Sequence, residues 1–271
     1  MKVHTTLYLT LAGLVACFSL LGSNPVLAAT YEQDFDFPDG TTDLGDGTLL
    51  QGTAQVQGGR LRLTEDLGGG GFSSFGIGPL ANSSQGWTMS ADIEIYDSPG
   101  NNVPADGFSL NYGDFALDAR GNAEEGMHEF AQNNISFEVD TWMNFDNEQG
   151  VNISGVLGGA DIQDGLGAFN NGPILNDGER VTGTFTASYD AAAGTVSYVT
   201  TGLATNADFV DIPLPAGVGG NDAWNFALNG RVGGANQDVF FDNLVITTVP
   251  EPSGLALLGL SAFGFFLRRR R

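Results

Sequence analysis

Eight short runs of alternating apolar and polar residues, with no stretch of ten or more that keeps a helical period, restrict what this chain can fold into. The runs are AQVQGGRLRLT, WTMSADIEIY, DGFSLNYGDF, NISFEVDTW, RVTGTFTASYD, GTVSYVTTG, AWNFALNGRVGG and QDVFFDNLVITT. A period of two puts successive side chains on opposite faces of a strand, so each run offers one apolar face for burial. Glycine-rich segments such as DLGGGGF and VGGND separate the runs, and YDAAAGTVSY reads as two strands joined by a short turn containing Gly194. Strands at this spacing, without βαβ alternation, predict an all-β fold: a two-sheet antiparallel jelly-roll sandwich.

Both ends of the 271-residue chain read as addresses rather than as parts of that sandwich. Lys2 and His4 precede an apolar run from Leu7 to Leu21, and Val26-Leu27-Ala28 places small residues where a signal peptidase needs them. Residues 1–28 are therefore expected to be a signal peptide cut after Ala28. At the other end, Pro250-Glu251-Pro252 is followed by a mostly apolar segment from Gly254 to Leu267 and then by four arginines. That segment is shorter than the ~20 residues that comfortably span a bilayer, and a terminal arginine cluster holds such an end on the cytoplasmic side. A transient membrane anchor is the expectation, with an ordinary short C-terminal anchor as the alternative. In order and spacing, residues 250–271 resemble the PEP-CTERM sorting signal of Gram-negative bacteria. The resemblance implies cleavage near Pro-Glu-Pro by a membrane-embedded exosortase and a final location on the cell surface, outer envelope or extracellular polymer.

What remains, residues 29–249, carries 31 acidic residues against five arginines and no lysine, a formal charge of −26. Nucleic acid and anionic membrane surfaces are poor partners for such a body. The one cysteine, Cys17, falls in the signal segment, so no disulfide can staple the body, which is long enough to fold on its own core as one domain.

The acid is densest in ISFEVDTWMNFDNEQGVNISG, residues 135–155. In an extended strand Ile135, Phe137, Val139 and Thr141 share the core face, while Ser136, Glu138, Asp140 and Trp142 share the other. Glu138 and Asp140 then lie about 7 Å apart by backbone rise. Two carboxylates that close repel unless a proton or cation sits between them. Asn144, Asp146, Asn147 and Glu148 follow as an oxygen-rich loop, and calcium takes six to eight oxygen ligands of this kind. A solvated acidic loop in an acidic protein is the other reading; it explains the loop but not the carboxylates on the strand.

These residues resemble a signature of the legume-type (L-type) lectins, whose fold is the concanavalin A-like jelly roll. EVDTWMN is similar to that family's Glu-x-Asp-Thr-aromatic-x-Asn, and PADGFSLNYG resembles its Ala-Asp-Gly-aromatic strand start. The resemblance implies calcium held by Glu138, Asp140, the backbone carbonyl of Trp142, the side chain of Asn144, and Asp146 or Glu148. It implies a sugar held by Asp106, Gly107, Asn144 and the ring of Trp142. The family's second, transition-metal site needs a histidine where this chain has Gly150-Val151-Asn152, so calcium alone is expected.

Glycoside hydrolases of the same superfamily carry a further catalytic Glu two or three residues after Glu-x-Asp. Here those positions are Trp142 and Met143, so no enzymatic activity is expected. His128, in AEEGMHEF, reads as a surface residue. DFDFPDGTTDLGDG lacks the EF-hand arrangement and reads as acidic turn sequence. FFDNLVI reads as the closing strand, with Phe241, Leu244 and Ile246 on its apolar side. The sequence thus points to a secreted, surface-sorted protein that binds polysaccharide with calcium. A structural matrix protein on the same fold is the alternative.

Overall fold

The computed structural model of the chain describes residues 27–66, 70–98, 104–120, 133–142, 150–157, 160–161, 169–171, 174–175 and 178–250. Ala29–Val249 forms one compact unit, and residues 1–26 and 251–271 lie outside the described residues. The strands, in chain order, are β1 (Thr30–Gln33), β2 (Leu49–Gln51), β3 (Gln55–Val56), β4 (Leu61–Thr64), β5 (Gly71–Ile77), β6 (Gly86–Tyr96), β7 (Gly107–Gly113), β8 (Asn133–Asp140), β9 (Gly150–Leu157), β10 (Ala160–Asp161), β11 (Phe169–Asn171), β12 (Arg180–Asp190), β13 (Thr195–Thr201), β14 (Asp208–Pro213), β15 (Asn225–Val232) and β16 (Asp238–Thr248). Among the described residues there is no α-helix, only a short 3-10 turn at Ser83–Gln85.

The strands make two antiparallel sheets, as the alternating runs predict. The first has the order β14-β13-β12-β6-β16-β4-β3, with β1 also paired to β16; the second runs β10-β9-β8-β7-β15-β5-β2, with β11 paired to β9. β16 is bonded to β6 along most of its length, while its other edge takes β4 through Val239–Phe241 and β1 through Leu244–Thr247. The N-terminal strand therefore completes the sheet that the C-terminal strand centres.

Alternation is clearest in β6, where Trp87, Met89, Ala91, Ile93 and Ile95 turn inward and Thr88 and Asp92 face solvent. Between the sheets the aromatic side chains interlock edge to face. Trp87 of β6 meets Tyr112, Phe137 and Phe226 at centroid distances of 5.4, 6.0 and 5.3 Å, and Phe108 meets Phe241 at 5.1 Å. Phe241, Leu244 and Ile246 of the closing strand are buried on its apolar side. The acidic turn sequence has a local explanation: Asp43, Asp46 and Asp39 accept the N–H groups of Gly45, Thr48 and Gly58, capping turns with their own side chains. Gly194 has a positive φ of 67° in the β12–β13 turn, donating its N–H to the Asp190 carbonyl.

The second sheet departs from a simple in-out alternation. β7 and all but the first residue of β8 are buried on both faces. The outer-face polar groups bond one another: Ser136 Oγ donates to Asn111 Oδ1 (2.6 Å), Asn134 Nδ2 to Ser136 Oγ (3.1 Å) and Asn111 Nδ2 to Ser109 Oγ (3.0 Å). The segment after β7 folds over part of this face, since a Cβ on Gly76 would overlap the Leu117 carbonyl and Asn225 Nδ2 donates to the Phe115 carbonyl.

Two measurements test this packing. Trp87→Ala empties the centre of the aromatic seam and should cost about 3–5 kcal/mol in urea unfolding, as large-to-small changes in cores do. Tyr112 accepts the Asn221 N–H and donates to its carbonyl, and burial pushes its phenol up to about 12 from an ordinary value of about 10. The unfolded chain releases that proton first, so stability is full below pH ~10 and falls as pH rises toward 12, by about 2–3 kcal/mol at most. Tyr112→Phe should flatten part of that alkaline slope; Tyr31 and Tyr198, whose phenols are also raised by burial, keep the remainder.

Candidate functional site

β7 begins where β8 ends. Antiparallel pairing sets Gly107 opposite Asp140. One step beyond the ladder, Thr141 N–H donates to the Asp106 carbonyl, and Asp106 N–H donates to the Arg231 carbonyl on β15, each at 3.0 Å. Backbone bonds from two neighbouring strands thus fix Asp106. With strands about 4.8 Å apart, Asp106 and Asp140 become spatial neighbours at one end of the second sheet. The Ala105–Asp106 peptide is cis.

Small residues make the close approach feasible. Gly107 has φ 142°, and a Cβ there would overlap the Val139 carbonyl oxygen. The segment leaving β15 lies on the Asp106 carboxylate, where a Cβ at Gly233 would stand 3.3 Å from Oδ1. A side chain at Gly107 would push β7 from β8, and one at Gly233 would crowd the Asp106 carboxylate.

Arg231 supplies the charge that Asp106 needs in this setting. Its Nε lies 3.3 Å from Asp106 Oδ2, and its guanidinium carbon lies 5.3 Å from the Phe72 ring centroid. Asp106 is 5% exposed, Asp140 9% and Glu138 3%. Carboxylates this deeply buried require partners or cations to stay ionised. Asp140 Oδ1 accepts the Trp142 N–H at 2.8 Å. β8 ends at Asp140, and half-buried Trp142 lies two residues beyond the strand, tied to it by that side-chain bond. Glu138 sits farther along the same face, in register with Ser109 of β7 and Asn152 of β9. Its charge reaches the other sheet: the Tyr198 phenol is raised well above its ordinary value, mainly by burial and further by Glu138.

Asp106, Gly107, Asp140 and Trp142 are thus brought together, with Glu138 behind them. Asn144, Asp146 and Glu148, with His128, lie outside the described residues. Among the described residues, no three of His, Cys, Asp and Glu gather closely enough to enclose a metal ion. The carboxylates present are hard oxygen donors, which suit calcium rather than a softer transition metal. Sequence reasoning missed Arg231, Thr141 and Gly233. The one signal available was that Arg231 is one of only five arginines in a body of 31 acids, followed two residues later by a glycine pair.

Residues 248–271 match the family model described as the PEP-CTERM protein-sorting motif, which marks an exported, surface-sorted chain. No curated protein sequence matches the chain. Solved structures with the same fold include peanut lectin, 15% identical, covering 82% of this chain and 98% of that one with a TM-score of 0.58. The exoplasmic/lumenal domain of VIP36 in its Ca2+/Man-bound form is 15% identical, with coverage of 74% and 83% and a TM-score of 0.57. Lectin UEA-II complexed with galactose is 12% identical, with coverage of 82% and 99% and a TM-score of 0.58. The body is a concanavalin A-like jelly roll of the legume and L-type lectin kind, followed by a sorting motif.

Gly107→Ala tests the closeness of β7 and β8 at this site. The added methyl group meets the Val139 carbonyl, and about 3 kcal/mol of stability should be lost, at the upper end of overpacking costs. Gly71→Ala, where nothing lies within 4 Å of the added atom, should lose under about 1 kcal/mol by the same urea titration.

Proposed function

We propose that this chain is an exported, surface-sorted protein that binds carbohydrate with calcium at the joined ends of β7 and β8. The observation that carries the reading is the placement of Asp106 beside Asp140, from separate segments, on the lectin fold. Glu138, Asp140, the Trp142 carbonyl, Asn144 and either Asp146 or Glu148 would hold the ion, which would supply a fixed positive centre for sugar hydroxyls. Asp106, with Gly107 and Asn144, would accept and donate hydrogen bonds to those hydroxyls, and the Trp142 ring would cover a C–H face of the sugar. The Ca2+/Man-bound state of VIP36 and the galactose complex of UEA-II support this assignment of ion and ligand class. The chain would mature by signal-peptidase cleavage after Ala28 and exosortase cleavage near Pro250. Residues 29–249 would remain at the Gram-negative envelope or in its exopolysaccharide, without catalytic activity.

A second reading has its own observation. Arg231 already engages Asp106, which suits a structural surface protein that keeps the fold without a sugar site. Retention on a glycan array and on immobilised polysaccharide separates the two, using residues 29–249 with and without a chelator, beside Asp106→Ala. Carbohydrate binding should require calcium and fall at least about tenfold in the variant, the loss of one charge-assisted hydrogen bond in a polar site. If no glycan is retained in saturating calcium, the structural reading replaces it; release of reducing ends would instead identify a hydrolase.

A further inference from the structure

The outward face of the first sheet carries a groove of about 340 Å³ whose polar lining is Arg60, Asp92, Glu94, Thr182, Thr184 and Asp242, set among apolar walls that include Phe240. A strand irregularity accompanies it. β16 pairs with β6 at Asp242↔Asp92 and again at Val245↔Ser90, leaving Asn243 and Leu244 opposite the single residue Ala91. Such a bulge bends its strand and re-aims its side chains. Asn243 takes the left-handed conformation, φ 51°, and its Nδ2 donates to Asp92 Oδ2 at 2.8 Å. On the other side of Asn243 lies a second depression of about 330 Å³, whose charged lining is Glu32 and Asp34.

Ion pairs and ring contacts tie down the arginines at the first groove. Arg60 Nη1 lies 3.0 Å from Glu94 Oε2, and its guanidinium stacks 4.2 Å from the Phe240 ring centroid. Arg180 reaches the other oxygen of Glu94 while stacking 4.3 Å from the Tyr96 ring. Glu94 is therefore doubly countered. Asp92, Asp242, Glu32 and Asp34 remain in excess, so the two depressions together are anionic, with apolar walls between the carboxylates.

We infer that this bulge-centred groove binds a polysaccharide strand bearing free amino groups, such as a partly deacetylated amino-sugar polymer. Carboxylate excess disfavours an acidic polymer and favours protonated amines. Thr182, Thr184 and the unused N–H groups of Arg60 offer partners for ring hydroxyls. A basic peptide suits the place poorly, because extended peptides dock by main-chain bonds at sheet edges, whereas the strands flanking this groove are already paired on both sides. The volume falls in the range of small-molecule sites. The inference takes from the proposed function only the class of ligand: the two sites lie on different sheets and fail separately.

The test is calorimetric titration of the full chain in metal-stripped buffer at physiological salt. The ligands are chitosan oligomers, fully acetylated chitin oligomers, oligouronate and oligolysine. Chitosan oligomers should bind more tightly than the other three. Asp92→Asn with Asp242→Asn should weaken binding about tenfold or more, the loss of two charge-assisted contacts. Asp208→Asn with Asp211→Asn, an equal charge change on exposed β14, should leave it within about twofold, as should Asp106→Ala. Thr182→Trp, which fills the groove without altering charge, should also abolish it. Equal losses from both asparagine pairs would reduce the effect to general attraction by an acidic protein and overturn the inference. So would equal affinity for oligolysine, or a loss produced by Asp106→Ala alone.

Discussion

The edge-to-face contacts of Trp87 with Tyr112, Phe137 and Phe226 fasten one sheet to the other, and no covalent bond backs them up. Cys17 is the chain's single cysteine, so no disulfide staples residues 29–249. Each ring reaches across from a strand whose outer face does something else: β7 and β8 carry Asp106 and Asp140 at their joined ends, and β6 carries Asp92 and Glu94 on the groove. The aromatic seam sets the orientation of both faces. Its rings exclude water from the interior while the chemistry is displayed on the outside.

Much of this architecture was legible from alternation. β6 and β12 each have one apolar and one polar face, and their burial follows the two-residue period; in β16 the bulge at Asn243 and Leu244 shifts the phase of that period. β5 was not legible because GFSSFGI is covered on both faces: small residues accommodate the Leu117 segment above while Phe75 fills the core below, so no polar side survives to mark a strand. β14 was hidden for the opposite reason. It is an edge strand, mostly exposed, with Asp208, Asp211 and Pro213 on it, a composition that reads as loop and that protects an open edge from pairing with other chains. At the site, Asp106 and Asp140 stood out because short motifs surround them. Arg231 did not, since only the β7–β15 pairing brings it to Asp106 and no local pattern encodes that meeting.

The arginines follow a common rule. Arg60 and Arg180 hold Glu94, Arg62 holds Glu65, and Arg231 holds Asp106. In a body this acidic, four of the five cations are placed where a particular carboxylate must be kept in one position, and three of them also lie over an aromatic ring. Other acids, such as Asp39, Asp43 and Asp46, cap turns or face solvent, where repulsion is screened within about 8 Å at physiological salt.

The pairing of β1 with β16 has a topological consequence. Ala29 N–H donates to Thr248 Oγ1 at 2.8 Å and Thr248 N–H donates to the Ala29 carbonyl at 2.9 Å, so the two ends of the folded body meet at one point. The order of its strands is in effect a circle. A few residues joining Val249 to Ala29 would close it, and the exposed turn between β12 and β13 could be opened in exchange without breaking a ladder bond. Any segment fused to either end therefore leaves the sandwich from the same place, and a single attachment there bears on β16, the strand that β6, β4 and β1 all share.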